Sequence, residues 1–204
     1  MAAGTILALT VIISVAGLLV SPRIIEWNLF RPYWFLRRHQ YWTAIGSVFV
    51  HADVAHLLFN ALTFWFFAFR LERVTGSGRF LGLYAAGIIA SDAGTYFKHR
   101  HDPNYACLGA SGAILAVLFA SIVYYPHQSI MMLPLPVPIP APVFAVCYLI
   151  YSFYAARHPR GRINHEAHFN GAWAGLLFVA LTDPNAWQRA WQSLFVARVT
   201  TGAY

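Results

Sequence analysis

Ser111 and His168 are the residues whose types and surroundings most directly suggest chemistry. Ser111 lies between Gly109 and Gly112 near the start of the apolar segment CLGASGAILAVLFA, and His168 stands in a similar place in HEAHFNGAWAG. A serine hydroxyl is a weak nucleophile until a base takes its proton, and a histidine within hydrogen-bonding distance is the usual base. We therefore expect Ser111 to be a nucleophile and His168 its general base.

A second pair of polar residues, His56 and Asn60, has the spacing needed to support that chemistry. Residues four apart lie on one face of a helix, so the imidazole and amide N–H groups of His56 and Asn60 are expected to point the same way. Acyl transfer requires donors for the oxyanion that forms on the attacked carbonyl. The backbone N–H of Ser111, at a helix start, is a further donor, and Gly109 and Gly112 leave that backbone open to a substrate.

No acidic residue has an obvious place beside the histidine. Asp53 and Glu166 lie in or near predicted loops, and Asp92 belongs to another predicted helix. The sequence therefore predicts a Ser-His dyad rather than a triad with a carboxylate that orients the imidazole. His51, five residues before His56, is expected to make a structural hydrogen bond that ties down the first connection.

The composition places these residues in a membrane. Hydrophobic residues make up 59% of the 204 residues and charged residues only 10%, whereas soluble domains have roughly 25% charged residues. A spanning helix needs about 20 apolar residues, and the sequence predicts an all-α membrane protein with six of them. The net charge of +7 comes from arginines scattered through loops, so nucleic-acid binding is not expected. The predicted spans are residues 4–21, 52–70, 78–96, 109–125, 139–156 and 166–182.

Alternation across the membrane predicts that the polar groups meet. The second, fourth and sixth spans all begin at the same face, and His56, Ser111 and His168 each lie in the first turn or two of those spans. Gly171 and Gly175 follow His168 at a spacing of four, a pattern of small residues that allows two helices to approach closely. We expect this stripe to face the fourth span, which brings the histidine to the serine.

The remaining segments are predicted to border the membrane. Residues 23–50 mix aromatic residues with arginines, which is typical of an interfacial segment. Alternate prolines from 134 to 142 predict an extended run before the fifth span. The first span lacks a preceding positive charge and is long for a signal core, so a retained helix is expected. We divide the chain into a six-helix domain (1–182) and an amphipathic, interfacial tail (183–204), whose helical stripe comprises Trp187, Trp191, Leu194, Phe195 and Arg198.

With these motifs in place, the chain resembles the rhomboid intramembrane serine proteases. The resemblance runs from about residue 40 to residue 180 and rests on four motifs in the family's order. They are HxxxN at His56–Asn60 preceded by His51, the segment LERVTGSGRF at 71–80, GxSG at Gly109–Gly112, and AHxxG at Ala167–Gly171. A lone GxSG occurs by chance in many membrane proteins, whereas four ordered motifs on the appropriate helices are specific.

The resemblance implies an activity, a fold and partners. The activity is hydrolysis of a peptide bond in or next to a substrate's transmembrane helix, with Ser111 as nucleophile, His168 as base and then acid, and His56 with Asn60 supporting the oxyanion. The implied fold is a six-helix bundle that opens laterally beside the fifth helix, with a water-filled cavity around the serine. The implied partners are membrane proteins with a transmembrane helix and the lipid bilayer, with no cofactor or metal. The implied location is a bacterial inner membrane, as a multi-pass protein.

Two positions depart from the family's pattern. Many members have Trp-Arg in the first connection, where this chain has Trp42 followed by Thr43, so Glu72 lacks that arginine as a partner. Many members also have an aromatic residue four positions after the serine. Here that residue is Leu115, which can pack against an imidazole ring but cannot stack on it.

Two other function classes remain open from the sequence. The first is a metal-dependent membrane hydrolase that uses His51, His56, His165 and His168 as zinc ligands, although HEAH lacks the one-turn spacing that would point two histidines at one ion. The second is a non-catalytic binder of transmembrane helices. Such a relative usually loses the serine or the histidine, and this chain has both.

Overall fold

The computed structural model describes residues 1–132, 135–158, 161 and 163–196, and it is mostly helical. An antiparallel hairpin of two strands lies between the seventh and eighth helices. The helices are α1 (Ala2–Val15, continued by a π-helical turn at Ala16–Val20), α2 (Pro22–Asn28), α3 (Pro32–Arg37), α4 (Thr43–Gly46, followed by a 3-10 turn at Ser47–Phe49), α5 (Val54–Thr75), α6 (Ser77–His99), α7 (Ser111–Tyr124), α8 (Ala141–Arg157), α9 (His165–Thr182) and α10 (Pro184–Trp191, followed by a π-helical turn at Gln192–Val196), and the strands are β1 (Ser129–Met132) and β2 (Leu135–Pro140).

Each of the six predicted spans coincides with a helix to within a few residues. These helices are α1, α5, α6, α7, α8 and α9. By length and composition, Ala2–Val20 and Val54–Thr75 are apolar enough to cross a membrane, whereas α7 and α8 are apolar but shorter. A helix of 14 residues such as α7 extends only about 21 Å, which is shorter than the roughly 30 Å hydrocarbon core of a bilayer.

Helix α7 is the centre of the bundle. Every residue from Gly112 to Val123 is buried, because α7 is almost entirely Ala, Val, Leu, Ile and Phe and is surrounded by α5, α6 and α9. A helix that is apolar on all sides has no face for water and belongs in a core or a membrane. Its N-terminal end, where Ser111 lies, is therefore the end at which polar groups can gather.

Glycines bring α9 and α6 against the backbone of α7. A Cβ atom built on Gly171 would overlap the carbonyl of Gly112, and one built on Gly175 would overlap the carbonyl of Ala116. On the other side, a Cβ at Gly87 of α6 would lie 2.7 Å from the Cβ of Ala116. These contacts are closer than any side chain allows, so the helix axes are held at a fixed, short separation.

The first connection folds back on the loop that precedes α7. Phe30 and Cys107 exchange two backbone hydrogen bonds of 2.9 and 3.0 Å. The Trp34 indole N–H donates to the Pro103 carbonyl at 3.2 Å, and its ring receives the Arg38 guanidinium at 3.8 Å. The short helices α2 to α4 therefore brace the loop that delivers Ser111.

Glu72 has partners that the sequence did not identify. Its carboxylate accepts hydrogen bonds from the backbone N–H groups of Ala2 and Ala3 and from the Ser77 hydroxyl. It thus joins the start of α1 to the junction of α5 and α6. Thr43 donates to the Gln40 carbonyl within its own connection at 2.6 Å.

The hairpin is an exception to the all-α prediction. The predicted extended run of prolines is also shorter than expected, because it ends before Pro142. Residues 135–140 are extended, as expected for alternate prolines, but Pro142 lies in the first turn of α8. That prediction was wrong because a missing N–H is tolerated at the start of a helix, where backbone donors have no partner. Pro134 lies outside the described residues. Pro138 and Pro140 pair with Met131 and Ser129, and their lack of N–H groups leaves the outer edge of β2 poor in donors.

Helix α10 packs across the end of the bundle opposite Ser111. Asp183 begins the helix by accepting from the N–H of Ala186, and it also accepts from the Tyr124 hydroxyl at 3.0 Å. Ala186 and Ala190 are buried, whereas Trp191 is exposed. The helix is therefore two-sided, and Arg198 of the predicted stripe lies outside the described residues.

Candidate active site

Ser111 and His168 touch at the N-terminal end of α7. The His168 Nε2 atom lies 2.7 Å from the Ser111 Oγ atom, within hydrogen-bonding distance. Ser111 is the first residue of α7, and His168 lies in the first turn of α9. The glycine contacts between α9 and α7 set this distance, because they hold the two helix starts side by side.

The start of α9 is fixed by side-chain hydrogen bonds. Asn164 caps the helix by accepting from the N–H of Ala167 at 3.0 Å and donates to the Thr95 hydroxyl at 2.8 Å. The Ser91 hydroxyl donates to the Ala167 carbonyl at 3.0 Å. Two residues of α6 thus hold the turn that carries His168, and an N-cap of this kind stabilises a helix by about 1 kcal/mol.

The second nitrogen of His168 faces a residue that sequence reasoning missed. The Tyr148 hydroxyl of α8 lies 3.3 Å from the His168 Nδ1 atom. The available signal was a tyrosine followed four residues later by Ser152 in an apolar helix, which places two hydroxyls on one face. Because the same helix contains two other tyrosines, the sequence alone does not indicate which of the three lies beside His168.

The three acidic residues considered from the sequence are engaged elsewhere. Asp53 caps α5 by accepting from the N–H of His56 at 2.7 Å, and Glu166 forms an ion pair with Lys98. Asp92 has a buried carboxylate oxygen that accepts no hydrogen bond within the described part of the chain. None of the three makes a hydrogen bond or an ion pair with His168 in that same part.

His56 lies against the loop that leads to Ser111. A Cβ atom built on Gly109 would be 2.7 Å from the His56 Cε1 atom, so only glycine leaves room for the ring. Gly109 also has a φ of +108°, which an L side chain rarely adopts. Its N–H donates to the Ser47 carbonyl at 2.8 Å, so this group fixes the loop and is not free for a substrate.

Asn60 is buried one turn below His56 and bonds within its own helix. Its side-chain amide donates to the His56 carbonyl at 2.9 Å, which uses one of its two N–H groups. Over the described residues, neither His56 nor Asn60 makes a hydrogen bond to Ser111. The backbone N–H of Ser111 likewise has no acceptor there, as expected for the first turn of a helix.

His51 ties the segment before α5 to α1. The Ser14 hydroxyl donates to the Phe49 carbonyl at 2.8 Å and therefore accepts from the His51 Nδ1, 2.9 Å away. Burial, and to a smaller extent the nearby His56, lower the pKa of His51 to about 3, whereas Asp53 acts in the opposite direction. This imidazole is neutral near pH 7, and its ring centre lies 4.9 Å from that of His56.

A cavity of about 30 Å³ lies beside Ser111. A cavity needs about 10–15 Å³ of such volume to hold one water molecule, so this one has room for water next to the hydroxyl. Burial raises the pKa of the Cys107 thiol, which also lines the cavity, to about 12. A protonated thiol is a poor nucleophile. The polar residues that line the cavity are Ser47, Ser91, Asp92, Cys107, Ser111 and Asn164.

Leu115 and His165 complete the surroundings. Leu115 is buried in an apolar cluster with Phe119 and Phe144. His165 is buried with its ring centre 6.2 Å from that of His168. Among the described residues, no group of three or more His, Cys, Asp or Glu side chains is arranged to hold a metal ion.

Comparison with known proteins matches the region that contains this site. A family model described as the rhomboid domain matches residues 38–184. The chain is 42% identical over 82 residues to rhomboid protease GluP of Bacillus subtilis, a match covering 40% of this chain and 15% of GluP. It is 30% identical over 177 residues to mitochondrial rhomboid protein 1 of Saccharomyces cerevisiae, covering 81% of this chain and 49% of that protein. The chain therefore spans less than half the length of these two relatives.

Proposed function

The chain belongs to the rhomboid family, and on that premise we propose that it is an intramembrane serine endopeptidase that works by a dyad of Ser111 and His168. Family membership supports an integral membrane protein with protease function. The observation that carries the dyad is the 2.7 Å contact between the serine Oγ and the histidine Nε2. A nucleophile in hydrogen-bonding contact with a base is the arrangement that acyl transfer needs.

The acylation step follows from this contact. His168 Nε2 takes the Ser111 proton while the Oγ atom attacks the carbonyl carbon of the scissile peptide bond. The tetrahedral intermediate collapses when Nε2 donates the proton to the leaving nitrogen and the C–N bond breaks. An ester on Ser111 and a new amino terminus are the products of this step.

Water completes the reaction. A molecule from the cavity beside Ser111 gives a proton to Nε2 and attacks the ester carbon, the C–O bond to Ser111 breaks, and Nε2 returns the proton to Oγ. Room for water in a cavity lined by Ser91, Asp92 and Asn164 supports this step. Without such a cavity, the hydrocarbon around the bundle would exclude water, which is the second substrate of the reaction.

The oxyanion is held by donors at the start of α7. The Ser111 N–H has no acceptor among the described residues and lies at the positive end of a helix dipole. His56, packed on Gly109, and the second amide N–H of Asn60 are the proposed side-chain donors. Neither bonds to Ser111 in the resting structure, so their hydrogen bonds form when a carbonyl occupies the space between them.

We propose that α1, α5, α6, α7, α8 and α9 all span the membrane. The burial of the apolar α7 by its neighbours and the length of α1 and α5 support this arrangement. Residues 1–182 form the protease unit, with the first connection at the interface and residues 183–204 as an interfacial tail. The two-sided α10 supports that role for the described part of the tail. The family match ending at residue 184 supports the division.

The proposed substrates are membrane proteins cut in or next to a transmembrane helix. The bacterial inner membrane is the proposed location. Identity of 42% to a Bacillus protein supports it, whereas the yeast relative is mitochondrial.

Cleavage of a panel of single-span model substrates in proteoliposomes tests the dyad. Ser111→Ala and His168→Ala should each lower turnover by at least about a thousandfold without changing thermal unfolding. Ser121→Ala on the same helix and His127→Ala at an exposed site are matched controls, and both should cleave at the wild-type rate. Turnover by Ser111→Ala would refute the proposal.

Two additional measurements separate the other function classes. Full activity after treatment with a chelator excludes a metal-dependent hydrolase that uses His51, His56, His165 and His168. Labelling of Ser111 by a fluorophosphonate excludes a non-catalytic binder, because only an activated serine reacts. An unlabelled protein that binds model helices without cutting them would favour the binder.

A further inference from the structure

Tyr148 occupies a place beside His168 that the dyad mechanism leaves unexplained. Its hydroxyl lies 3.3 Å from His168 Nδ1, on the far side of the imidazole from Ser111. Helix α8 supplies it, whereas the serine and the histidine come from α7 and α9. The described residues offer His168 Nδ1 no other hydrogen-bonding partner.

The chemistry of the base fixes which way this hydrogen bond runs. A neutral imidazole carries one N–H, and Nε2 must keep its lone pair free to accept the serine proton. Nδ1 is therefore the protonated nitrogen, and it donates to the oxygen of Tyr148. When Nε2 accepts the serine proton, the imidazolium charge strengthens this same bond, because a bond from a charged donor is about twice as strong as one between neutral groups.

The Tyr148 proton has a destination on the same helix. Ser152 follows one turn later on the same face of α8, is fully buried, and its hydroxyl has no hydrogen-bond partner among the described residues. Leaving a buried hydroxyl without a hydrogen-bond partner is unfavourable, because its interaction with water has been lost. Donation from Tyr148 to Ser152 would satisfy this hydroxyl and would turn the tyrosine lone pair toward the histidine.

Packing holds the Tyr148 ring without help from its hydroxyl. The ring stacks on Phe144 with centres 5.5 Å apart and lies 5.7 Å from Phe119. Replacing tyrosine by phenylalanine therefore removes the hydrogen bond and leaves these contacts in place.

We infer that Tyr148, supported by Ser152, is a positioning residue that holds His168 in the tautomer with a proton on Nδ1 and stabilises its charged form. The inference rests on the proposed function, since it concerns the same histidine. The tyrosine transfers no proton: the proton that moves in catalysis passes only between Ser111, Nε2 and the leaving group or water. The neutral hydroxyl thus takes the orienting role that a carboxylate has in a triad.

Tyr148→Phe tests the inference, with Tyr151→Phe as a matched control. Tyr151 is an exposed tyrosine of the same helix, and its hydroxyl makes no hydrogen bond in the described structure. Tyr148→Phe should lower kcat for a model substrate by about 10- to 100-fold with KM and thermal unfolding unchanged. Tyr151→Phe should match the wild type. Ser152→Ala should have a smaller effect that disappears in the Tyr148→Phe background, because the two act as one unit.

A spectroscopic readout separates positioning from a structural role. In protein with ¹⁵N-labelled histidine, the His168 ring should show the Nδ1–H tautomer in the wild type and a mixture of tautomers in Tyr148→Phe. An unchanged tautomer, a wild-type kcat, or an equal loss in Tyr151→Phe would overturn the inference. If Ser111→Ala is inactive and Tyr148→Phe is not impaired, the dyad stands and only the positioning role fails.

Discussion

Helices α9 and α8 both flank the site, yet they are held there by different means. Helix α9 meets α7 backbone to backbone at Gly171 and Gly175, and α6 secures its first turn. Helix α8 meets α7 through large rings such as Phe144 against Phe119, and its outer face is exposed. Contacts between backbones fix a distance, whereas contacts between rings can slide. Ser111 and His168 lie where α9 meets α7, which we call the fixed flank, and Tyr148 lies on α8, which we call the adjustable flank.

That contrast suits the proposed cleavage of a substrate helix. The distance between a nucleophile and its base must vary little, because misplacement by about 1 Å can cost a hundredfold in rate. A substrate helix, however, has to reach the site from the lipid. Helix α8 is attached to its neighbours at its C-terminal end, where Lys98 donates to the Ala156 carbonyl and pairs with Glu166. Along the rest of its length, α8 meets α7 and α9 through side chains such as Phe144 and Tyr148.

Gly175→Leu breaks the fixed flank and should have the largest effect. A leucine there must push α9 away from the Ala116 carbonyl, and overpacking of a tight interface costs about 1–3 kcal/mol or more. We expect a fall of about 10 °C in the unfolding temperature in detergent and loss of cleavage. Ala180→Leu adds the same side chain at an exposed position of α9 and should be tolerated. Similar stability of the two variants would mean that the glycines do not set the helix separation.

Asn60→Ala tests whether α5, which lies on neither of these two flanks, supplies an oxyanion donor. Loss of such a donor should lower kcat, because it removes about 1–4 kcal/mol of transition-state stabilisation. Thr63→Ala is the matched control, because Thr63 makes the same kind of bond to a carbonyl four residues earlier. In measurements of kcat, Asn60→Ala should be slower than the wild type, whereas Thr63→Ala should cleave at the wild-type rate. A loss of stability with an unchanged kcat would assign Asn60 to helix packing.

The fixed flank was largely predictable from the sequence, and the adjustable flank was not. Helix boundaries and the Gly171–Gly175 stripe follow from local patterns of apolar and small residues, which need no knowledge of partners. Tyr148 became a candidate only when α8 was placed beside α9, since three tyrosines of α8 look alike in sequence. Pro142 shows the same limit at short range, because a proline can end an extended run or begin a helix. The β1–β2 hairpin depends on pairing between segments, which periodicity does not reveal.

The titration of His51 tests the contact between the first connection and α1. Burial holds its pKa near 3, below the ordinary value of 6.5, so the unfolded chain binds a proton that the folded one does not. Stability should therefore be complete above about pH 6.5 and should fall as the pH drops toward 3, by up to about 1.4 kcal/mol per pH unit. His51→Phe should flatten this dependence in unfolding measurements between about pH 7 and pH 5. His127→Phe, at an exposed site, should keep the wild-type slope.

Ile150→Ala probes the adjustable flank and should have the smallest effect. Ile150 is 65% exposed on the outer face of α8, and in the proposed membrane arrangement its neighbours there are acyl chains. Truncation exchanges contacts with lipid for other contacts with lipid, so no hydrophobic driving force is lost. The unfolding free energy should change by less than about 0.5 kcal/mol, as it should for Ile89→Ala on the equally exposed face of α6. A loss several times larger at Ile150 alone would show that the outer face of α8 packs against protein, and the contrast with α9 would fail, because both helices would then be fixed.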